Sequence, residues 1–356
     1  MSEETLTQQH HHYHALRVAR VIDETPDARS FVLEIPPELA EAFAYEAGQH
    51  LTFKVPFDGR HLLRCYSLSS SPECEREHKV TIKRIGGGRV SNWLNDNVSA
   101  GDVVQVLPPA GRFVLREAER PLLLFAGGSG ITPVIALIKS ALTRTARTLK
   151  LVYANRDAAS IIFEAELGEL QARHPERLQV VHSLDDSDGF LTPERVQAQL
   201  AGHAGAHFYL CGPGGFMEAV EQGLEAAAIP REAIFKELFV SPEDDVPTAE
   251  ELASTAEADA GAGGCETLLV TVDGTLHELA YEVGKTVLQT ARDAGVQPPF
   301  SCEDGYCSCC MAKLIEGEVK MRKNDCLTPR DLEDGWVLAC QSVPQTKTVK
   351  IDWDAG

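Results

Sequence analysis

The sequence predicts a multidomain chain: an antiparallel β domain, then an α/β domain built on a parallel sheet, then a smaller C-terminal unit. Three observations carry this reading. Before about residue 120, short strand-like runs alternate with turn residues: "SFVLEI", "HLTFKV", "KVTIKRI" and "DVVQVL", the last followed by "PPAG". After it, strand and helix patterns alternate: "PLLLFAGG", a helix from Pro133, "TLKLVYANR", a helix around Phe163 to Arg173, "LQVVHSL", a helix from Pro193, "HFYLCG" and a helix from Gly215. Finally, Ser241 to Gly264 carries seven acids and no Lys or Arg, and lacks any amphipathic period. Such a stretch buries too little apolar surface to fold alone. It reads as a linker spanning about 25–30 Å root-mean-square if it behaves as a flexible coil. The expected boundaries are 12–118, 119–240, the acidic linker 241–265, and 266–356.

Composition agrees with several cores. A chain of 356 residues exceeds one ordinary core, and 44% apolar residues is normal for a globular protein. The longest apolar stretch, near Leu122 to Gly128, is too short for a membrane span. The polar N-terminus "MSEETLTQQHHHYHAL" has no basic or apolar leader regions, so a reducing cytoplasm is expected, where cysteines bind metal or stay as thiols. His10, His11, His12 and His14 lie in that stretch and read as a disordered tail. A net charge of −20 disfavours nucleic acid as a partner. The acidity serves either solubility or the steering of a basic protein partner.

Chemistry concentrates in three stretches of the first two domains. "GGSGITP" (Gly127 to Pro133) follows an apolar strand and opens a helix, where glycines admit a pyrophosphate and free N–H groups bind it. Taken alone, it is equally a tight strand-to-helix turn. "YLCGPGGFME" (Tyr209 to Glu218) repeats the design and would set Cys211 at the crevice lining the strand ends, unless Cys211 is simply a buried small hydrophobe. In "RCYSLSS" (Arg64 to Ser70), Arg64 and Tyr66 share one strand face while Ser67 takes the other. That grouping suits a ligand with a phosphate and a planar heteroaromatic ring. "GGGRVSNWL" (Gly86 to Leu94) adds glycines and Ser91 ahead of a short helix, a second anion site.

The C-terminal unit holds four of the chain's ten cysteines within residues 302–310. Cys302 and Cys307 enclose four residues, Cys307 and Cys310 enclose two, and Cys340 follows after 29 more. This is the C-x4-C-x2-C…C spacing of a plant-type [2Fe–2S] site. A zinc ribbon would require two C-x2-C knuckles, and only one is present. Cys309 is left out because adjacent side chains point apart, and Cys326 because it lies in the intervening loop. Cys65, Cys74 and Cys265 belong to no pattern and are expected to be unpaired thiols.

In order and spacing, "RCYS", "KRIGGGRVSNWL", "GGSGITP", "CGPGGFME" and the closing "KELF" resemble the flavin-binding reductases of the ferredoxin-NADP reductase superfamily. The resemblance implies an antiparallel β-barrel holding FAD and a parallel α/β domain holding NAD(P)H. It implies that Tyr66 lies against the isoalloxazine, Ser67 near its N5 and Arg64 on the FAD pyrophosphate. Lys83, Gly88, Val90 and Ser91 complete the flavin set; Gly128, Gly130, Thr132, Gly212 and Pro213 line the nicotinamide side. Ser67, Cys211 and Glu237 would meet at the reacting centre. After the linker, "LLVTVDG", "TLHELAYEVG" and "TVLQTARDAG" before "PPFSCEDGYC" resemble a plant-type ferredoxin domain, which implies a β-grasp fold with Cys302, Cys307, Cys310 and Cys340 as metal ligands. Ser308–Cys309 departs from the small pair usual there, and Cys309 is small enough to substitute.

Nicotinamides give electrons in pairs and iron–sulfur clusters take them singly, so a flavin must stand between them. The layout resembles reductase components of bacterial multicomponent oxygenases, above all those serving the Rieske-type ketosteroid 9α-hydroxylases. A terminal oxygenase is the implied electron acceptor. The reductases of phenylacetyl-CoA epoxidase-like diiron systems share the layout, and a redox-sensing iron–sulfur flavoprotein is a third reading. In "ANRD", Asp157 suits a ribose 2′-hydroxyl and Arg156 a 2′-phosphate; the resemblance favours NADH over NADPH.

Overall fold

In a computed structural model of the chain, the residues described are 13–57, 60–117, 119–203, 205–239, 264–300, 303, 305, 308–324, 326–327 and 329–355. The N-terminal histidines up to His12, the linker up to Gly263, and Cys302 and Cys307 therefore lie outside them. Two compact units emerge, Tyr13–Phe239 and a C-terminal unit beyond the linker.

The first half of Tyr13–Phe239 is a six-stranded antiparallel sheet of β1 (His14–Thr25), β2 (Ala28–Glu34), β3 (His50–Phe57), β4 (Arg60–Ser67), β5 (His78–Lys83) and β6 (Val103–Val106). Its order is β4-β3-β6-β1-β2-β5. The two outer strands then meet through a Leu68–Val80 bridge, where the Ser69 N–H donates to the Lys79 carbonyl at 2.7 Å. That contact curls the sheet into a barrel around Leu16, Phe31, Phe53, Leu68, Val80 and Ile82. Helix α1 (Arg89–Asn97) follows β5 and buries Val90 and Leu94 against this core. Strand β1 went unpredicted. Its alternation is real, with Leu16 and Val18 buried between exposed neighbours, but five of its twelve residues are charged or His.

The second half is a parallel sheet of β7 (Leu122–Gly127), β8 (Leu149–Asn155), β9 (Leu178–Leu184), β10 (His207–Gly212) and β11 (Ile234–Leu238), in the order β11-β10-β7-β8-β9. Helices α2 (Ile131–Arg144), α3 (Glu164–Arg173), α4 (Pro193–Gln199) and α5 (Gly214–Ala226) connect the strands. Strands β7 and β10 are buried throughout, as a sheet covered on both faces requires. Helices α2 and α5 begin two and one residues before Pro133 and Gly215, because the glycines after each strand let the chain turn into the helix early.

Barrel and α/β half are joined by buried charge. Lys139 Nζ on α2, with its side chain 4% exposed, reaches Glu75 Oε2 at 3.0 Å, Glu166 Oε1 at 2.5 Å and the Ser69 carbonyl at 3.1 Å. A buried ammonium is tolerated only when paired in this way.

The C-terminal unit is a mixed sheet of β12 (Thr267–Val272), β13 (Thr275–Ala280), β14 (Met311–Glu316), β16 (Trp336–Leu338) and β18 (Thr348–Asp352), in the order β13-β12-β18-β14-β16, with a β15 (Val319–Met321)–β17 (Ser342–Pro344) pair beside it. Strands β12 and β18 are parallel, and the other neighbours antiparallel. Helix α6 (Val287–Asp293) is started by a Thr286/Gln289 capping box and buries Val287, Leu288 and Ala291 in the core. This is the β-grasp arrangement. One expectation is corrected: Cys265, assigned to the linker, is 7% exposed and packs in this core. Cysteine behaves there as a small hydrophobe at the entry to β12, which the glycines before it obscured.

Candidate functional site

Residues from both halves of Tyr13–Phe239 converge at the strand ends. Between β7 and β10 the strand order reverses, which opens a crevice at their carboxyl ends. Gly130 lies so close to β10 that a Cβ there would stand 2.1 Å from the Cys211 carbonyl oxygen. A Cβ on Gly212 would meet the Phe216 ring at 2.5 Å. Gly128 adopts φ +52°, and Lys83 Nζ lies 3.8 Å from where its Cβ would be, so the barrel's Lys83 faces the Gly128 turn. Thr132 is buried and donates to the Ser129 carbonyl at 3.0 Å, bracing the first turn of α2. Pro213 is the N-cap residue of α5, and that helix start has no side-chain cap.

At the end of β4, Ser67 is 2% exposed and its Oγ donates to Glu237 Oε2 at 3.0 Å. Glu237 pairs with Cys211 across β10 and β11. Cys211 is fully buried, and its thiol pKa is pushed well up, first by that burial and then by the Glu237 charge. Ser67, Cys211 and Glu237, drawn from three strands of two sheets, thus form one cluster. Sequence reasoning passed over His50, whose Nδ1 lies 3.9 Å from Glu237 Oε1. The only signal for it was a polar residue opening the strand "HLTFKV", opposite Ser67 in the β3–β4 register.

Tyr66 packs edge-on against Phe53 with ring centroids 5.6 Å apart, and burial holds its hydroxyl well above the usual tyrosine range. Arg64 Nη1 donates to the Leu63 carbonyl at 2.7 Å. The start of α1 provides the test of fit for a phosphate-bearing flavin. No side chain caps it; Gly88 is its N-cap residue, and a Cβ there would sit 2.6 Å from Ser91 Oγ. Ser91 Oγ is itself buried with no hydrogen-bond partner among the described residues. An unmet hydroxyl beside open helix N–H groups fits an anion. Val90 spends its side chain on the barrel core, leaving only its backbone for a ligand.

At the end of β8, Arg156 Nε pairs with Asp157 Oδ2 at 3.0 Å and Arg156 Nη2 with Asp27 Oδ2 at 3.7 Å. Asp157 Oδ1 also accepts the Ser160 N–H at 2.9 Å. Asp185 and Asp186 follow directly on the neighbouring strand β9, in a short helical turn.

In the C-terminal unit, strand pairing explains how Cys310 and the distant Cys340 meet. Cys310 immediately precedes β14 and Cys340 lies two residues beyond β16, while Met311 faces Leu338 in that antiparallel pair. Both cysteines are buried, at 2% and 6% exposure, whereas Cys309 and Cys326 are half-exposed. A hydrogen bond from Cys310, the largest influence, lowers the Cys340 thiol pKa; burial opposes it, and Gln341 and the Gly305 N–H assist. Glu303, Gly305 and Ser308 all have left-handed backbone, with φ of 57°, 86° and 54°. Two buried sulfurs in contact, reached by the Gly305 N–H and the Gln341 side-chain amide, fit a thiolate-bound cluster.

Comparison with known proteins bears on the three domains and the family. Models of the oxidoreductase FAD-binding domain, the oxidoreductase NAD-binding domain and the 2Fe-2S iron-sulfur cluster binding domain match residues 15–115, 124–222 and 270–345. A 3-ketosteroid-9-alpha-monooxygenase ferredoxin reductase component of Rhodococcus rhodochrous is 41% identical over 339 residues, covering 95% of this chain and 96% of that one. A component of the 1,2-phenylacetyl-CoA epoxidase of Escherichia coli is 33% identical over 359 residues, covering 96% and 98%. Phthalate dioxygenase reductase superposes with a TM-score of 0.59 at 26% identity, covering 96% of this chain and 98% of that one. The chain belongs to the family of oxygenase reductase components, oxidoreductases that carry FAD-binding, NAD-binding and [2Fe–2S] domains on one polypeptide.

Proposed function

We propose that this reductase draws electrons from NADH and delivers them to a Rieske-type oxygenase that hydroxylates a ketosteroid. The observation that carries the reading is the end-to-end 41% identity to a 3-ketosteroid-9-alpha-monooxygenase reductase component, against 33% for the epoxidase component. When bound, FAD supplies the exchange between a two-electron donor and a one-electron cluster.

The chain's own residues bind and orient. The open start of α1, with Ser91 and Gly88, and Arg64 on β4 hold the flavin phosphates; Lys83 and Tyr66 bear on the rest of the cofactor. Gly128, Gly130, Thr132, Gly212 and Pro213 let the nicotinamide approach the strand ends. Ser67, Cys211 and Glu237 fix the angle at which it does so, because their mutual contacts hold each in place. Cys302, Cys307, Cys310 and Cys340 hold the cluster. The domains run as 12–118, 119–240 and, after the linker, from Cys265 onward. The same reading assigns the protein to the cytoplasm, where Cys65, Cys74 and Cys265 persist as thiols.

Two features support NADH over NADPH. Arg156 is already committed to Asp157 and Asp27, and Asp185 and Asp186 add negative charge just beyond the next strand end. A 2′-phosphate would meet repulsion there. The test is reconstitution with a ketosteroid 9α-hydroxylase oxygenase and, separately, with a diiron epoxidase. Steroid hydroxylation is expected with NADH, at a kcat/KM at least roughly tenfold above that with NADPH, the ratio that about 1.4 kcal/mol of discrimination provides. Turnover with the epoxidase alone would overturn the choice of partner, and equal use of NADPH the choice of donor.

A further inference from the structure

His50 lies between the barrel and the end of β11, with its side chain 7% exposed. Its backbone is clamped: the N–H donates to the Ala110 carbonyl at 2.8 Å and its carbonyl accepts the Ala110 N–H at 3.0 Å. The ring occupies space that only glycine leaves free at position 111, since a Cβ there would come within 2.9 Å of Nδ1, and Gly111 has φ +119°. On one side Nδ1 faces Glu237 Oε1 at 3.9 Å; Nε2 is buried with no hydrogen-bond partner among the described residues. Glu237 in turn accepts from Ser67, the residue paired with His50 across β3 and β4. A histidine serving only to fill space would not be aimed at the carboxylate that accepts the Ser67 hydrogen bond.

We propose that His50 is a positioning residue: by facing Glu237 from the barrel side, it holds that carboxylate against the Ser67 hydroxyl and so fixes the junction where nicotinamide meets flavin. This rests on the reading that Ser67 and Glu237 stand at that junction. The groups facing the imidazole are Cys65 from β4 and Glu237 from β11, with Cys211 of β10 beside Glu237. Burial alone would lower the imidazole pKa; the Cys65 sulfur and the Glu237 carboxylate outweigh it and hold it well above the ordinary 6.5. The sign follows. Attraction to Glu237 is complete below the unfolded-state value and is lost as pH rises through the folded one, so both stability and junction geometry weaken on the alkaline side.

The test uses the FAD- and cluster-loaded protein with His50→Phe, His50→Gln, Glu237→Gln and the His50→Phe/Glu237→Gln double variant. Read for each are flavin content, melting temperature against pH, flavin midpoint potential, and the anaerobic rate of flavin reduction by NADH against pH. His50→Phe should slow reduction on the order of tenfold and abolish the alkaline fall in rate and in melting temperature expected of the parent, as coupling between groups in contact predicts. His50→Gln, which keeps a donor without the charge, should recover much of the rate but not the pH dependence. In the Glu237→Gln background, His50→Phe should change little further. Additive losses, or an unchanged pH dependence in both His50 variants, would overturn the positioning role while leaving the junction intact. A Glu237→Gln protein reduced as fast as the parent would instead remove the junction reading, and this proposal with it. Should His50→Phe fail to fold, the pH dependence of His50→Gln decides alone.

Discussion

Replacing Cys340 with serine should leave NADH-driven ferricyanide reduction close to that of the parent and lower cytochrome c reduction and oxygenase turnover to background. The reason is local. Cys340 is buried and in contact with Cys310 through a hydrogen bond, at the meeting point of β14 and β16. A serine oxygen is harder and reaches less far than a thiolate sulfur, so it is a poor ligand for an iron–sulfur cluster. Ferricyanide can take electrons from flavin, and the Tyr13–Phe239 unit has its own hydrophobic cores. Steady cytochrome c reduction in Cys340→Ser, with iron and acid-labile sulfide lost, would mean that electrons leave by another route. Retention of a native cluster would mean that the ligand set is wrong.

Gly130→Ala is expected to have the second large effect, on the opposite end of the electron path. The added methyl would stand 2.1 Å from the Cys211 carbonyl oxygen, 2.4 Å from its carbon and 2.8 Å from the Gly212 nitrogen. All three are backbone atoms at the end of a central strand, so no side chain can swing away. The start of α2 and the end of β10 must separate, which moves Thr132 and Cys211 from their places. Displacements near 1 Å at a reacting centre cost on the order of 100-fold in rate, and anaerobic flavin reduction by NADH should fall by that amount. Reduction by dithionite, which needs no nicotinamide site, should be unaffected. A Gly130→Ala protein that NADH reduces at the parent rate would show that the crevice between β7 and β10 is not where the nucleotide acts.

Much of this was legible because the relevant chemistry is local in sequence. Gly127 to Pro133 and Tyr209 to Glu218 each carry a strand, a turn and a helix start in one run, and the cysteine spacing sets Cys302, Cys307 and Cys310 within nine residues of sequence. What escaped was chemistry formed by distant partners. His50 looked like the polar start of an apolar strand; only the pairing of β3 with β4 and the arrival of β11 show it facing Glu237. The buried link of Lys139 to Glu75 and Glu166 joins three segments with no shared motif. Strand β1 was hidden by its charged face, although its buried face pairs with both β2 and β6. Cys265 was misplaced because composition marks where a linker is polar, and not where the following core begins.

The central claim is that one polypeptide passes reducing equivalents from NADH through flavin to a four-thiolate cluster. An anaerobic titration of the holoprotein with NADH, followed by visible absorbance and low-temperature electron paramagnetic resonance, tests it most directly. The flavin and iron–sulfur bands should bleach together, and a reduced [2Fe–2S] signal should develop that is missing from Cys340→Ser. A flavin that NADH bleaches fully while the cluster of the parent protein stays oxidised would contradict it.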